Sequence, residues 1–263
     1  MEKRYADINE VMYHVGFAKN ALHGAVIAVL PGDPGRVQLL AENIGEQSSF
    51  IACHREYTSW LTFVDKTPIL VCSTGMGGPS TAICLEELAR LGITHVIRVG
   101  TTGTIQQQIN PGEIIINKAS VRLDGTSRHY APISFPAVAS FSVTGALVEA
   151  AKAGGVPFHV GIAVSSDTFW PGQERYDSFT GYVPRQFQGT MLEWQKLGAL
   201  NYEMETSALF VTCQALEIKA GAVCGVVAQR TDSEAIVSHE LYVQALKYQA
   251  VVVKGAIKRL TAK

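Results

Sequence analysis

Apolar runs too short to be buried helices recur along the chain, and several close on glycine, proline or small polar residues. Ala25–Leu30 ends at the turn Pro31-Gly32-Asp33-Pro34-Gly35, after which Arg36 opens the amphipathic stretch Val37–Asn43. Ile69–Ser73 leads through Thr74-Gly75-Met76-Gly77-Gly78 into a predicted helix from near Pro79 to Leu91. Proline suits that first turn because its missing N–H would have no partner there. Val96–Val99, Glu113–Asn117, His159–Val164 and Ala220–Val227 read as further strands. Thr144–Ala153 and Thr206–Leu216 read as helices. His239–Leu260 reads as a long helix with Leu241, Ala245, Leu246, Val252 and Ile257 on its apolar face. Strands alternating with helices cover a sheet on both faces. The expectation is an α/β fold, a single α/β/α domain over residues 1–263 with a mixed or mostly parallel central sheet. Phe169–Gln188 is the least regular stretch, and a loop of that length in an α/β domain points to function.

Composition narrows the function classes. The chain has 263 residues, 47% of them apolar, and a net charge of -1. That is enough for one large core, and it supplies no field for binding nucleic acid through phosphates alone. Residues 1–7 lack an apolar signal-peptide core, and the apolar runs are far shorter than a membrane span. Cys53, Cys72, Cys84, Cys213 and Cys224 are scattered and form no C-x-x-C pair, so they read as reduced thiols of a cytoplasmic protein. The histidines show no metal-ligand spacing, and a zinc site is not expected.

Three constellations carry chemistry. Arg98 ends the apolar run Thr94–Val99 and precedes the small-residue stretch Gly100-Thr101-Thr102-Gly103-Thr104, read as a loop. A guanidinium buried there needs an anion, either a carboxylate from elsewhere in the chain or a bound oxyanion. In open α/β sheets ligands bind beyond the carboxyl ends of the strands. The segments beginning at Pro31, Thr74 and Gly100 should therefore meet, bringing Arg36, Arg98, Thr101 and glycine amides together. Gly75–Ser80 is neither G-x-G-x-x-G nor a Walker loop, and it suits a small oxyanion such as phosphate. In Asn201-Tyr202-Glu203-Met204-Glu205, one carboxylate can cap the following helix. The pair could also bind a ribose diol, with Met204 on the apolar sugar face. In Phe169-Trp170-Pro171-Gly172-Gln173-Glu174-Arg175, the Gln173 amide matches the N3–H and carbonyl of uracil. Arg175 could meet the second carbonyl, and Phe169 could stack on the ring. An ordinary polar loop with aromatic anchors would carry the same residues.

Taken together the motifs resemble the nucleoside phosphorylase superfamily, in its uridine-cleaving branch. The matching stretches are Pro31–Pro34, His54-Arg55-Glu56, Ser73–Ser80, Arg98–Gly103, Ser120–Gly125, Ser165–Phe169 with Pro171–Asp177, and Asn201–Glu205. They cover nearly the whole chain in order. The resemblance implies a nucleoside phosphorylase-like fold and a pentosyltransferase that converts uridine and phosphate to uracil and ribose 1-phosphate. It implies that Gly32, Arg36, Arg98 and Thr101 hold phosphate, joined by Arg55 of a neighbouring subunit. It assigns ribose to Thr101, Glu203, Met204 and Glu205, with His14 from that neighbour. It assigns the base to Thr102, Gly103, Phe169, Gln173, Arg175 and Val227. It also implies homodimers that assemble into hexamers. No cofactor takes part in the chemistry, although a structural potassium ion near Glu56, Met76 and Ser80 is part of the resemblance. Trp170 and Gln229 depart from the tyrosine and asparagine typical of close relatives.

In such an enzyme phosphate meets an oxocarbenium-like sugar while uracil leaves as an anion, and Arg98, Arg175 and Glu205 are the residues expected to carry the chemistry. Asp232 leaves a purine nucleoside as an alternative substrate. A hydrolytic nucleosidase is another alternative, though it would not need Arg36, Arg55 and Arg98. A binding protein without catalysis would hold uridine and leave it intact.

Overall fold

The computed structural model describes residues 3–231, 233–235 and 237–262. Asp232, on which the purine alternative rests, lies outside the described residues. The strands are β1 (Ile27–Pro31), β2 (Glu46–His54), β3 (Tyr57–Val64), β4 (Thr67–Cys72), β5 (His95–Thr104), β6 (Ile114–Leu123), β7 (Ala137–Val138), β8 (Phe158–Ser166), β9 (Ala199–Glu203) and β10 (Lys219–Gln229). The helices are α1 (Val37–Ile44), α2 (Gly78–Leu91), α3 (Ser127–Tyr130), α4 (Phe141–Ala153), α5 (Thr190–Lys196), α6 (Thr206–Ala215) and α7 (His239–Thr261).

All ten strands belong to one mixed sheet. β4, β1 and β5 pair in parallel, with Ile27 opposite both Ile69 and His95. β2 and β3 extend this side as an antiparallel hairpin. On the other side β5 pairs in parallel with β10 along its whole length, from His95–Lys219 to Thr104–Gln229. β10 then passes to β6, β8 and β9, and β9 returns to β5 at Gly103–Tyr202 and Thr104–Asn201. The first half of β5 thus sits in an open sheet, and its last residues close a ring.

Period-two alternation explains why the sheet is covered twice. On β1, Ala28 and Leu30 face a core built with α2 and α6. Ile27 and Val29 face a core built with α1, α4 and α7. α6 is buried from Thr206 through Cys213, so it has no polar face. Among the described residues no helix is long and apolar enough to cross a membrane. All five cysteines are free, four of them buried and Cys53 exposed.

Several expectations need correction. Gly100–Thr104 is not a loop but the second half of β5. Threonines favour strands, and the ring closure supplies partners on both edges. The predicted strand at Glu113–Asn117 runs on to Leu123. β2, β3, β9 and α5 were not expected. β3 does alternate, but Ser59 and Thr62 are among its buried residues, so the apolar–polar contrast is weak. Within Phe169–Gln188 only two short 3-10 turns form, at Pro171–Gln173 and Arg185–Phe187.

Candidate active site

A cavity of about 270 Å³ lies near the carboxyl ends of β1, β4 and β5, close to the low end of small-molecule sites. The three glycine-bearing segments do converge on it, contributing Gly32 and Arg36, Met76, and Thr101. β5 adds Arg98, Thr102 and Gly103, while β9 and its end add Glu203, Met204 and Glu205. The irregular loop supplies Phe169, Gln173 and Arg175, and β10 supplies Val227.

Arg98 does find an anion, and it is carboxylate. Its Nη2 donates to Glu205, and its Nε lies 3.3 Å from Glu203 Oε2. Burial works against the guanidinium charge, but Glu205 and Glu203 outweigh it and raise the pKa of Arg98. The second oxygen of Glu205 accepts the Gly77 N–H at 2.6 Å, just ahead of α2. The anion-binding helix start is thus occupied by a side chain of the same protein. Gly77 needs its φ of +91°, a region that disfavours any side chain. Burial lifts the Glu205 carboxyl above its ordinary range. Arg98 pulls it back and Glu203 adds to the rise.

The two carboxylates divide the two readings of their motif. Glu203 Oε2 accepts the N–H groups of Glu205 and Thr206 at 2.9 and 2.8 Å, so Glu203 serves the start of α6. Its Oε1 accepts the Ser165 hydroxyl. Glu205 makes no such cap and faces the cavity. Arg36 has Asp33 at 4.0 Å, and its Nη1 is buried with no hydrogen-bond partner among the described residues. Burial lowers its pKa, and Arg98 adds a smaller push.

At the other end Arg175 lies 4.2 Å above the Phe169 ring, and its Nε approaches Gln173 Oε1 at 3.4 Å. Its Nη1 pairs with Glu234, which the motifs did not single out. Glu234 also holds Arg230, whose guanidinium stacks 5.1 Å from the Tyr202 ring. Burial and the neighbouring Arg230 lower the pKa of Arg175, and Glu234 offsets part of this. A Cβ added to Gly103 would stand 2.8 Å from Arg230 Cδ, so glycine leaves room for that side chain. The Thr102 hydroxyl is committed to Tyr202 O and Asn201. The two ends are separated along β5, since the Arg98 guanidinium lies over Gly100 and that of Arg175 near Gly103. Three strand residues span about 10 Å.

His14 and Arg55 do not line this cavity. Arg55 is exposed at the β2–β3 turn and covers the Tyr13 ring at 5.5 Å. His14 Nδ1 meets Glu87 Oε1 at 2.7 Å. Glu56 and Ser80 flank Gly75, and the Ser80 hydroxyl donates to the Met76 carbonyl at 3.0 Å.

Asp33, Tyr202, Ala228 and Glu234 line the cavity without having been expected there. Tyr202 carried a signal in its motif. Glu234 carried none, being one acid in a polar segment. Glu174, also unexpected, fixes the loop by accepting the N–H groups of Gly189 and Met191. Of the two departures, Gln229 bonds the carbonyls of Gln106 and Ile109, and Trp170 packs edge-on to Phe169 at 5.1 Å.

The family model described as the phosphorylase superfamily matches residues 26–260. The chain is 50% identical over 249 residues to the uridine phosphorylase of Escherichia coli (strain K12), covering 95% of this chain and 98% of that protein. It is 42% identical over 224 residues to the uridine phosphorylase of Thermococcus kodakarensis, covering 85% and 79%. It is 34% identical over 200 residues to the guanosine phosphorylase of Halorubrum lacusprofundi, covering 76% and 77%. With its motifs, its sheet and its near full-length match in agreement, the chain belongs to the phosphorylase superfamily.

Proposed function

We propose that the protein catalyses phosphate-dependent cleavage of uridine to uracil and ribose 1-phosphate. The observation that carries this reading is one cavity with Arg36 and Arg98 at one end and Phe169, Gln173 and Arg175 at the other. Arg98 and Arg175 reach β5 at Gly100 and Gly103, and those backbone positions are about 10 Å apart along the strand. Half-identical relatives are named uridine phosphorylase, which supports the same substrate.

In this reading Gly32, Arg36, Arg98 and Thr101 hold phosphate against the face of the sugar. The dianion stabilises the oxocarbenium-like carbon and then bonds to it. Glu205, with Met204, Thr101 and Glu203 around it, orients the ribose. Thr102, Gly103 and Val227 flank the base. Arg175 meets the charge that grows on the uracil oxygens, a contact strongest in the transition state. A hydrolase would have no use for the two arginines at the sugar end.

His14 and Arg55 complete the site of a neighbouring subunit, so the functional unit is at least a homodimer, assembling further to a hexamer. Glu56, the Met76 carbonyl and the Ser80 hydroxyl are hard oxygen donors gathered around one turn. They fit an alkali cation such as potassium and would hold it where protomers meet. The reduced thiols fit a cytoplasmic setting.

The test is incubation with uridine, with and without phosphate, following free uracil. Release only with phosphate, or with arsenate in its place, is expected. Equal release in phosphate-free buffer overturns the reading in favour of a nucleosidase.

A further inference from the structure

The carboxylate of Glu234 takes a hydrogen of Arg175, the residue that the proposed reading assigns to a uracil carbonyl. Its Oε2 accepts from Arg175 Nη1 and, at 2.8 Å, from Arg230 Nε. Its Oε1 accepts from Arg230 Nη2 at 2.7 Å. Both guanidiniums lie over aromatic rings, Arg175 over Phe169 and Arg230 over Tyr202. Both are 4% exposed. The Glu234 side chain is 28% exposed and lies in sequence between β10 and α7. The backbone on either side of it bonds at Ser233 N to Gln229 O and at Val237 N to Val227 O.

Two buried guanidiniums this close cannot remain without a counter-charge. Glu234 supplies it. A uracil ring carrying the charge of the broken glycosidic bond would supply the same charge to the same donors. A uracil anion on the second hydrogen of Arg175 Nη1 would lie against the Glu234 carboxylate, like charge to like charge. A carboxylate that stayed would also cancel the field that the leaving base needs.

We propose that Glu234 is an internal competitor of the base. It holds Arg175 and Arg230 while the base subsite is empty, gives way when uridine enters, and returns as uracil departs, a role that rests on uridine being the substrate. Its effect is to keep product affinity low, because uracil must displace an existing ion pair. The phosphate end is untouched by this exchange.

The test is uracil inhibition of the wild type and of Glu234→Gln, which keeps the shape and loses the charge. Uracil should inhibit the variant roughly 10-fold more tightly, the scale of one charge-assisted hydrogen bond. KM for phosphate should not change. In Glu234→Ala, millimolar acetate should weaken uracil binding again by taking the vacated place, as read by direct titration. Uracil affinity that is unchanged or weaker in Glu234→Gln, or indifferent to acetate in Glu234→Ala, overturns the proposal and makes Glu234 a plain buttress of Arg175. Wild-type protein that releases no uracil in the presence of phosphate overturns the assignment of uridine itself.

Discussion

Arg98 and Glu205 form a buried ion pair between β5 and the start of α6, and the second oxygen of Glu205 reaches the Gly77 amide ahead of α2. Three elements distant in sequence are thus tied at one point of the cavity. The pair is structural and faces the site at once, so substitutions there should move both stability and rate.

Replacing Arg98 with alanine leaves Glu203 and Glu205 buried without a counter-ion. That should cost about 3–5 kcal/mol of stability. Turnover should also fall roughly 100- to 1000-fold. Arg36→Ala separates the two effects, because its carboxylate neighbour Asp33 is exposed and 4.0 Å away. Its KM for phosphate should rise steeply while thermal unfolding changes little. Wild-type phosphate kinetics in Arg36→Ala would remove that residue from the phosphate site.

Burial raises the Glu205 carboxyl above its ordinary value of 4.5. A raised carboxylate loses its charge at a higher pH than exposed ones do. As pH falls, Glu205 is therefore neutralised early and its ion pair with Arg98 weakens. At saturating phosphate the acid limb of kcat should lie above pH 4.5. Glu205→Gln carries no titrating group and should lack that limb. An identical limb in the variant would assign it to another group.

Cytidine offers an amino donor where uridine offers O4, and its N3 carries no hydrogen. Facing Arg175 with a donor leaves a buried charge unpaired, and such mismatches cost up to about 10⁴-fold in kcat/KM. Purine nucleosides should also be poor substrates, since a cavity of about 270 Å³ leaves little room for a second ring. Arg175→Ala should lower kcat more than it raises KM, because charge on the base grows as the bond breaks. Inosine cleaved as fast as uridine would refute the assignment of the base end.

Arg55 and His14 lie outside their own chain's cavity. Mixing Arg55→Ala with Arg36→Ala protomers should restore part of the activity, because some mixed dimers then contain one intact site. Mass spectrometry would establish that subunits had exchanged. Absence of recovery after exchange would mean that each site is built from one chain.

Legibility followed the range of the forces involved. The Ala25–Leu30 and Ile69–Ser73 strands were readable because they are apolar on both faces. α2 announced itself by Pro79 after a glycine run, and α7 by its apolar face. β3 is hard to read from sequence because buried Ser59 and Thr62 interrupt its pattern. The second half of β5 reads as a loop from sequence because Gly100 and Gly103 are poor strand residues in isolation. They are tolerated here because neighbouring side chains occupy the space theirs would fill, Arg98 and Cys224 at Gly100 and Arg230 at Gly103.

Arg36, Arg98, Gln173, Arg175 and Glu205 could be picked out from residue type and local motif alone, and so could the layered α/β fold. Local pattern also determined that a buried arginine at the end of a strand must meet an anion. Which anion it meets was decided only by the tertiary structure. Arg98 and Glu205 are 107 residues apart, and Arg175 and Glu234 are 59 apart. No local periodicity links such positions. They meet because burial of both sheet faces fixes which strands are neighbours, and desolvated charges then pair with whatever opposite charge that arrangement brings within reach.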